Sequence, residues 1–406
     1  MHGDKKLSYN HTIYACYIGY IVQAIVNNYI PLLFLTFQSS FGISLDKIAY
    51  LITINFGIQL LVDLASAKFV DKIGYKASAI LAHVTAAVGL AGLGIFPYLF
   101  SDAYTGILLS ICFYAVGGGL LEVVVSPIVE ACPTEKKEAA MSLLHSFYCW
   151  GHVGVVLLST FFFTAAGIEN WRILAFLWAI VPFLNIFYFA KVPVQALVEE
   201  GKGMSIGELM KNKLFWLFFI MMICGGASEQ AMSQWASAFA ESGLGVSKMM
   251  GDLAGPCLFA VLMGSARAFY GKYSEKISLQ RFMKYSCVLC VISYLVACFS
   301  KNPLLALAGC AVCGLSVGIM WPGTFSLASK SMRSGGTALF AFLALAGDVG
   351  CAGGPTLVGV ISELAGADLK RGLLCAVAFP SVLLFGLFLL RLSHFLTEQK
   401  DISVDD

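Results

Sequence analysis

Charged residues are scarce in this 406-residue chain. Asp, Glu, Lys and Arg together make up 12%, against about 25% in a soluble domain. So few charges cannot cover a water-exposed surface, which excludes the two or three soluble domains that the length alone suggests. The net charge is only +2, and no basic stripe with interleaved aromatics occurs, so no nucleic-acid partner is expected. The motifs of enzyme chemistry are missing as well. There is no G-x-S-x-G, no H-E-x-x-H and no phosphate-binding glycine loop, so neither catalysis nor a cofactor is expected. The tail after Arg391 is 15 residues, too little for the soluble domain that a membrane sensor or scaffold would carry.

What fills the chain instead is apolar. The hydrophobic fraction is 59% with 40 Gly, and the mean hydropathy is +0.82. A membrane-spanning helix needs about 20 mostly apolar residues. Twelve such runs can be laid down, near 12–38, 47–69, 77–99, 105–130, 139–166, 172–192, 213–240, 250–271, 281–300, 303–328, 336–363 and 371–395. The spacing predicts an all-α integral membrane protein of two six-helix halves. The one long gap carries Glu199, Glu200, Lys202, Glu208 and Lys211 around Gly201 and Gly203. It reads as a linker, dividing the chain into 1–192, 193–212 and 213–406. The first run is too long for a signal-peptide core and has no small-residue cleavage site, so it is the first helix. With both termini inside, 20 of the 26 Lys and Arg fall on the cytoplasmic side and 6 on the other. That asymmetry sets the orientation by the positive-inside rule. A multi-pass protein of the bacterial inner membrane is expected, and nothing demands more than a monomer.

The 13 Cys lie almost wholly inside apolar runs. Cys287/Cys290 and Cys310/Cys313 are C-x-x-C pairs within spans, where small packing residues are a better account than a metal site.

The halves echo each other. Residues 67–73 read Ala-Lys-Phe-Val-Asp-Lys-Ile, and residues 271–277 read Gly-Lys-Tyr-Ser-Glu-Lys-Ile, at an offset of 204. Gly151-His152-Val153-Gly154 matches Gly347-Asp348-Val349-Gly350 at an offset of 196. Lys47 matches Lys248 at an offset of 201. Three offsets near 200 argue for duplication of a six-helix unit, the parallel-repeat arrangement known in one large transporter class.

Polar residues at membrane depth are costly, and each is a functional candidate. Stripes at spacings of three and four place Tyr20, Gln23, Asn27 and Asn28 on the first helix, and Asn55, Gln59 and Asp63 on the second. Glu122 and Ser126 lie on the fourth, and His145, Tyr148 and His152 on the fifth. The seventh has Glu229, Gln230, Ser233, Gln234 and Trp235, the tenth Trp321 and the eleventh Asp348. Each can also serve only to hydrogen-bond helix to helix. No Lys or Arg lies mid-helix, so a fixed cation for a phosphate ester or dianion is missing. A neutral or cationic small-molecule substrate is expected. Amides interleaved with aromatic rings suit a polyhydroxylated ligand. Glu122 is the leading proton-coupling candidate and Glu229 the second, because a carboxyl in a low-dielectric cavity can take up and release a proton near neutral pH.

Ala67-Lys68-Phe69-Val70-Asp71-Lys72-Ile73-Gly74-Tyr75-Lys76 resembles the G-x-x-x-D-(R/K)-x-G-x-(R/K) loop of the major facilitator superfamily, with Ala in place of the first Gly. Arg267, Gly271, Glu275 and Lys276 stand in register in the second half. The resemblance implies that fold, with gating by Asp71, Arg267 and Glu275 on the cytoplasmic side. It also implies a central site from helices 1, 4, 7 and 10, reached by rocking of the two bundles.

Within the superfamily, Gly119-Leu120-Leu121-Glu122-Val123-Val124-Val125-Ser126-Pro127 resembles the G-x-L-E-x-x-x-N-P run of the fucose permease group of sugar/proton symporters. Asn27-Asn28 and Phe37-Gln38 match its first helix. The resemblance puts proton coupling on Glu122. Pro31 stands where that group has an Asp, which leaves the sugar and the stoichiometry open. The expected substrate contacts are Gln23, Asn27, Asn28, Glu122, His145, His152, Gln230, Gln234 and Trp321. The alternative is a proton-coupled antiporter that exports lipophilic or cationic drugs. Such antiporters carry G-P-x-x-G-G in the fifth helix, which has no Pro here between Met141 and Phe163.

Overall fold

The computed structural model describes residues 7–133, 137–195, 206–274, 276–332 and 336–402. Twelve described helices are long and apolar enough to cross a bilayer: α1 (Tyr9–Phe41), α2 (Leu45–Ser66), α3 (Tyr75–Leu93), α4 (Ala103–Val129), α5 (Leu143–Ala166), α6 (Ile168–Lys191), α7 (Lys213–Gly243), α8 (Lys248–Tyr273), α9 (Leu279–Phe299), α10 (Pro303–Ser331), α11 (Phe342–Leu364) and α12 (Leu369–Arg391). Each overlaps one of the twelve runs. Of the linker, residues 196–205 lie outside the described residues.

The packing repeats itself. In the first bundle α3 lies on α4 and α6, α1 on α4 and α5, and α2 on α4. In the second, α9 lies on α10 and α12, α7 on α10 and α11, and α8 on α10. Adding six to each helix number converts one set into the other. Close approach rests on small residues, the usual means where lipid offers no hydrophobic drive. A Cβ on Gly117 would sit 2.5 Å from the Ala82 carbonyl oxygen of α3, and one on Gly119 would sit 3.0 Å from Gln59 Cα of α2. The glycine run that suggested helix packing in the sequence does that work. Each copy of the Gly-x-x-Gly echo brings helices together, through the first glycine in one bundle and the last in the other. Gly151 lets α5 meet Ala24 of α1, and Gly350 lets α11 meet the Ile223 carbonyl of α7.

Between bundles, α2 lies on α11, α5 on α8, and α1 on α7. The outer faces of single helices carry the apolar surface, as at Phe161 (74% exposed) and Phe385 (61%), while Asn27, Asn55, Gln59, Gln230 and Gln234 gather at the seam. Helices break where the chain turns about this seam. Pro31 introduces a 3-10 turn, Ile30–Leu33, into α1. The helical ladder of α10 is interrupted between Val317 and Met320, just before Pro322. Wide turns occupy Phe239–Gly243 of α7 and Leu253–Cys257 of α8.

We call the face from which α1 enters the near face, and the opposite one the far face. The described contacts between bundles gather toward the far face. There Glu363 of α11 accepts from the backbone N–H of Leu45 at 3.2 Å, Thr53 of α2 meets Thr356 of α11, and Phe34 of α1 packs on Trp235 of α7 with ring centroids 5.1 Å apart.

Candidate substrate and ion site between the bundles

Asn27 is the hub of the first network. Its Oδ1 accepts from Asn55 Nδ2 at 3.1 Å and from Gln59 Nε2 at 2.9 Å, which joins α1 to α2. The Tyr148 hydroxyl of α5 is within hydrogen-bonding reach of the Asn27 and Asn28 side chains. Asn28 also donates to its own helix, to the Ala24 carbonyl at 2.9 Å. Across the seam, Gln234 Nε2 donates to the backbone carbonyl of Asn27 and to Gln230 Oε1, each at 3.1 Å.

That carbonyl is free for a local reason. In an α-helix it would accept from the N–H four residues on, but residue 31 is proline and has none. The position where the fucose permease group has an Asp therefore supplies a docking point between bundles. The same device recurs in α10. The Gly318 carbonyl faces Pro322 four residues on, and it accepts instead from Arg267 Nε at 3.1 Å.

Arg267 anchors the second network. Its Nη2 lies 3.3 Å from Glu229 Oε2, and Nη1 donates to Cys149 Sγ of α5 at 3.4 Å. Gln230 Nε2 donates to Glu229 Oε1 at 3.4 Å. This corrects the sequence-based expectation of a site without a fixed cation. Arg267 lies near the end of its span, but helical side chains lean back toward the helix N-terminus. In α8 that direction runs inward, so a long stem carries the guanidinium to the Glu229 carboxylate. Among the described residues Arg267 pairs with Glu229. The Asp71 side chain and the whole of Glu275 lie outside the described residues.

Three carboxyls form the third group. Gln23 Nε2 donates to Glu122 Oε2 at 2.9 Å, and the Tyr20 and Ser126 hydroxyls of the same two helices meet at 3.1 Å. Asp63 of α2 and Asp348 of α11 contact each other side chain to side chain across the seam, with Glu122 near both. Gln23 Oε1, Asp63 Oδ1 and Asp348 Oδ2 are buried and accept no hydrogen bond among the described residues. Trp321 closes this corner, since a Cβ on Gly347 would lie 2.1 Å from the indole.

The histidines separate. His152 is buried (2% exposed), whereas His145 is exposed and stands with its ring 5.4 Å from that of Tyr20.

The sequence reading placed no site role on Asp63, Asp348, Tyr148 or Cys149. Asp63, Asp348 and Tyr148 stood on the polar stripes, so the signal was present. Cys149 carried none. A further cluster escaped it on the far side. Asp252 of α8 is fully buried and accepts from Thr160 of α5 at 3.1 Å, from Ser237 of α7 and from Lys248 at 2.8 Å. Lys248 also pairs with Glu241 at 3.1 Å. The Thr160 bond ties the two bundles. Replacing Asp252 with Ala is expected to lengthen the distance between spin labels on the far ends of α5 and α8, read in a cysteine-depleted background. An unchanged distribution counts against a latch here.

Two pseudo-symmetric bundles, with a polar site at their seam and closing contacts on one face, define a membrane transporter. The Major Facilitator Superfamily model matches residues 16–355, and the chain belongs to that family. Among solved structures it is similar to a D-xylose–proton symporter (TM-score 0.78, 12% identity, 94% of this chain and 97% of that one). It is similar also to a bacterial homologue of the human lysosomal transporter Spinster, inward-facing and occupied (0.74, 13%, 94% and 96%). A third is the E. coli fucose:proton symporter (0.64, 16%, 94% and 99%). At these identities the likeness is one of fold. A curated relative, "Membrane protein MosC" of Rhizobium meliloti, is 28% identical over 182 residues, which are 45% of this chain and 44% of that protein.

Proposed function

We propose that this transporter is a proton-coupled symporter of a neutral, polyhydroxylated solute. Its site lies among Gln23, Asn27, Asn28, Gln230, Gln234 and Trp321, with His145 and His152 at its margins, and Glu122 carries the proton. The observation behind this reading is the Gln23–Glu122 hydrogen bond beside the Asn27 amide hub. It sets a titratable group next to donors and acceptors that suit hydroxyls. Arg267 offers no free positive charge to an anion, because Glu229 offsets it. Glu229, held by Arg267, serves as an auxiliary group. The fold likeness to two sugar–proton symporters agrees with the reading. Both termini are placed in the cytoplasm and the carrier works as a monomer.

A second reading has its own support. Asp63, Glu122 and Asp348 stand together with no cation among the described residues beside them, which suits exchange of protons for a lipophilic cation. Thermal unfolding of the purified carrier separates the two, because a ligand of the folded state raises its stability by mass action. The panel holds hexoses, 6-deoxyhexoses, polyols, nucleosides and lipophilic cations at pH 5.5 and 7.5. Stabilisation by one sugar, stronger at the lower pH, is the expected result. Stabilisation by several unrelated cations in competition with protons replaces symport with antiport.

A further inference from the structure

A cavity of about 260 Å³ lies between α9 and α12 at the near face, away from the seam and from every residue of the transport site. Arg281, Lys284 and Arg391 line it, with Ser278 at its rim and Leu387 and Phe388 as its apolar wall. Among the described residues no carboxylate lines it. None of the three cations forms an ion pair among the described residues. Lys284 Nζ instead stands 4.5 Å from the centroid of the Phe388 ring. In the sequence these cations counted only toward topology. In the fold, one from the end of α12 and two from the start of α9 converge.

The depth of the cavity indicates its ligand. α9 begins at Leu279 and α12 leaves the apolar layer at Arg391, so the cations sit where lipid headgroups lie. The same two helices show an apolar outer surface just deeper: Tyr285 is 69% exposed and Phe385 61%. A ligand that fills the hollow and continues along that surface has an anionic head and acyl chains. Paired arginines match phosphate oxygens in fork geometry, and basic pockets between membrane helices suit anionic headgroups.

We propose that the α9–α12 cavity is a binding site for an anionic glycerophospholipid, with its phosphate on Arg281, Lys284 and Arg391 and an acyl chain along the outer surface of the two helices. A soluble phosphate would use the cations and leave the apolar wall unused.

Native mass spectrometry of the full-length carrier in neutral detergent tests this, with phosphatidylglycerol, phosphatidylcholine and inorganic phosphate as probes. Phosphatidylglycerol is expected to stay bound in preference to phosphatidylcholine. Combined Arg281→Gln, Lys284→Gln and Arg391→Gln should lower its retention by about tenfold or more. Neutralising Lys213, Lys272 and Lys330 together, three exposed cations of the same face, should leave retention near the wild-type value. Arg281→Lys with Arg391→Lys keeps the charge and should lose less than the neutral triple. The single variant Lys284→Gln carries the test if the triple does not fold. Equal retention in the cavity variants and in the control set overturns the site. Displacement of the lipid by millimolar phosphate, or equal binding of the two lipids, overturns the assignment to an anionic lipid.

Discussion

Glu122→Gln abolishes accumulation driven by a pH gradient and leaves solute exchange intact. That is the expected result with purified carrier in proteoliposomes. The substitution is close to isosteric, and a glutamine at 122 still offers Gln23 an oxygen at the place where Glu122 Oε2 now accepts at 2.9 Å. What it removes is the exchangeable proton. One pH unit supplies about 1.4 kcal/mol per proton, enough for about tenfold accumulation of a neutral solute carried one for one. The wild-type carrier should approach that ratio, and the variant should stay near unity while counterflow of labelled solute continues. Tenfold accumulation in the variant sinks the coupling role of Glu122. Asp63→Asn and Asp348→Asn are then next to measure, since these carboxyls adjoin it.

The second large effect concerns stability. Arg267→Gln leaves the Glu229 carboxylate, whose side chain is 10% exposed, without its cation. Breaking a buried pair from one side costs about 3 kcal/mol, because the remaining charge stays out of water. Glu229→Gln leaves the guanidinium instead. Arg267 is 29% exposed and keeps the Gly318 carbonyl as an acceptor, so that loss should be smaller. The double variant should recover most of the loss. Unfolding titrations in mixed micelles read all three. Equal and additive losses mean that the two groups do not stabilise each other.

Much of this could be read from residues alone. The twelve spans follow from run length, and their overlap with α1 to α12 is close, because lipid leaves the backbone no alternative to a helix. The duplication was visible at offsets of 204 and 196, and the packing repeats accordingly. The offsets reach further than the loops that revealed them. Adding 204 to Asp63 gives Arg267, and adding 196 to His152 gives Asp348. The α2–α11 seam joins two acids, where the offsets place an arginine and a histidine in its counterpart between α8 and α5; there Arg267 meets the Cys149 thiol, one turn before His152. The site was legible only in part. Spacings of three and four show which side chains share a face of one helix, so Gln23 and Asn27 stood out. They do not show how one helix is rotated against another. The contact of Asp63 with Asp348, 285 residues apart, and the inward lean of Arg267 both depend on that rotation. The freed carbonyls of Asn27 and Gly318 carry no side-chain signal, but each is marked by a proline four residues on.

One of those carbonyls has a bearing on how such a carrier can change. Gln234 grips the backbone at residue 27, not its side chain. Residue 27 can therefore be exchanged for another without removing the bond that joins α1 to α7. With the substrate contact proposed for Asn27, selection for a new cargo at this position is decoupled from selection for closure, and Pro31 makes that separation available.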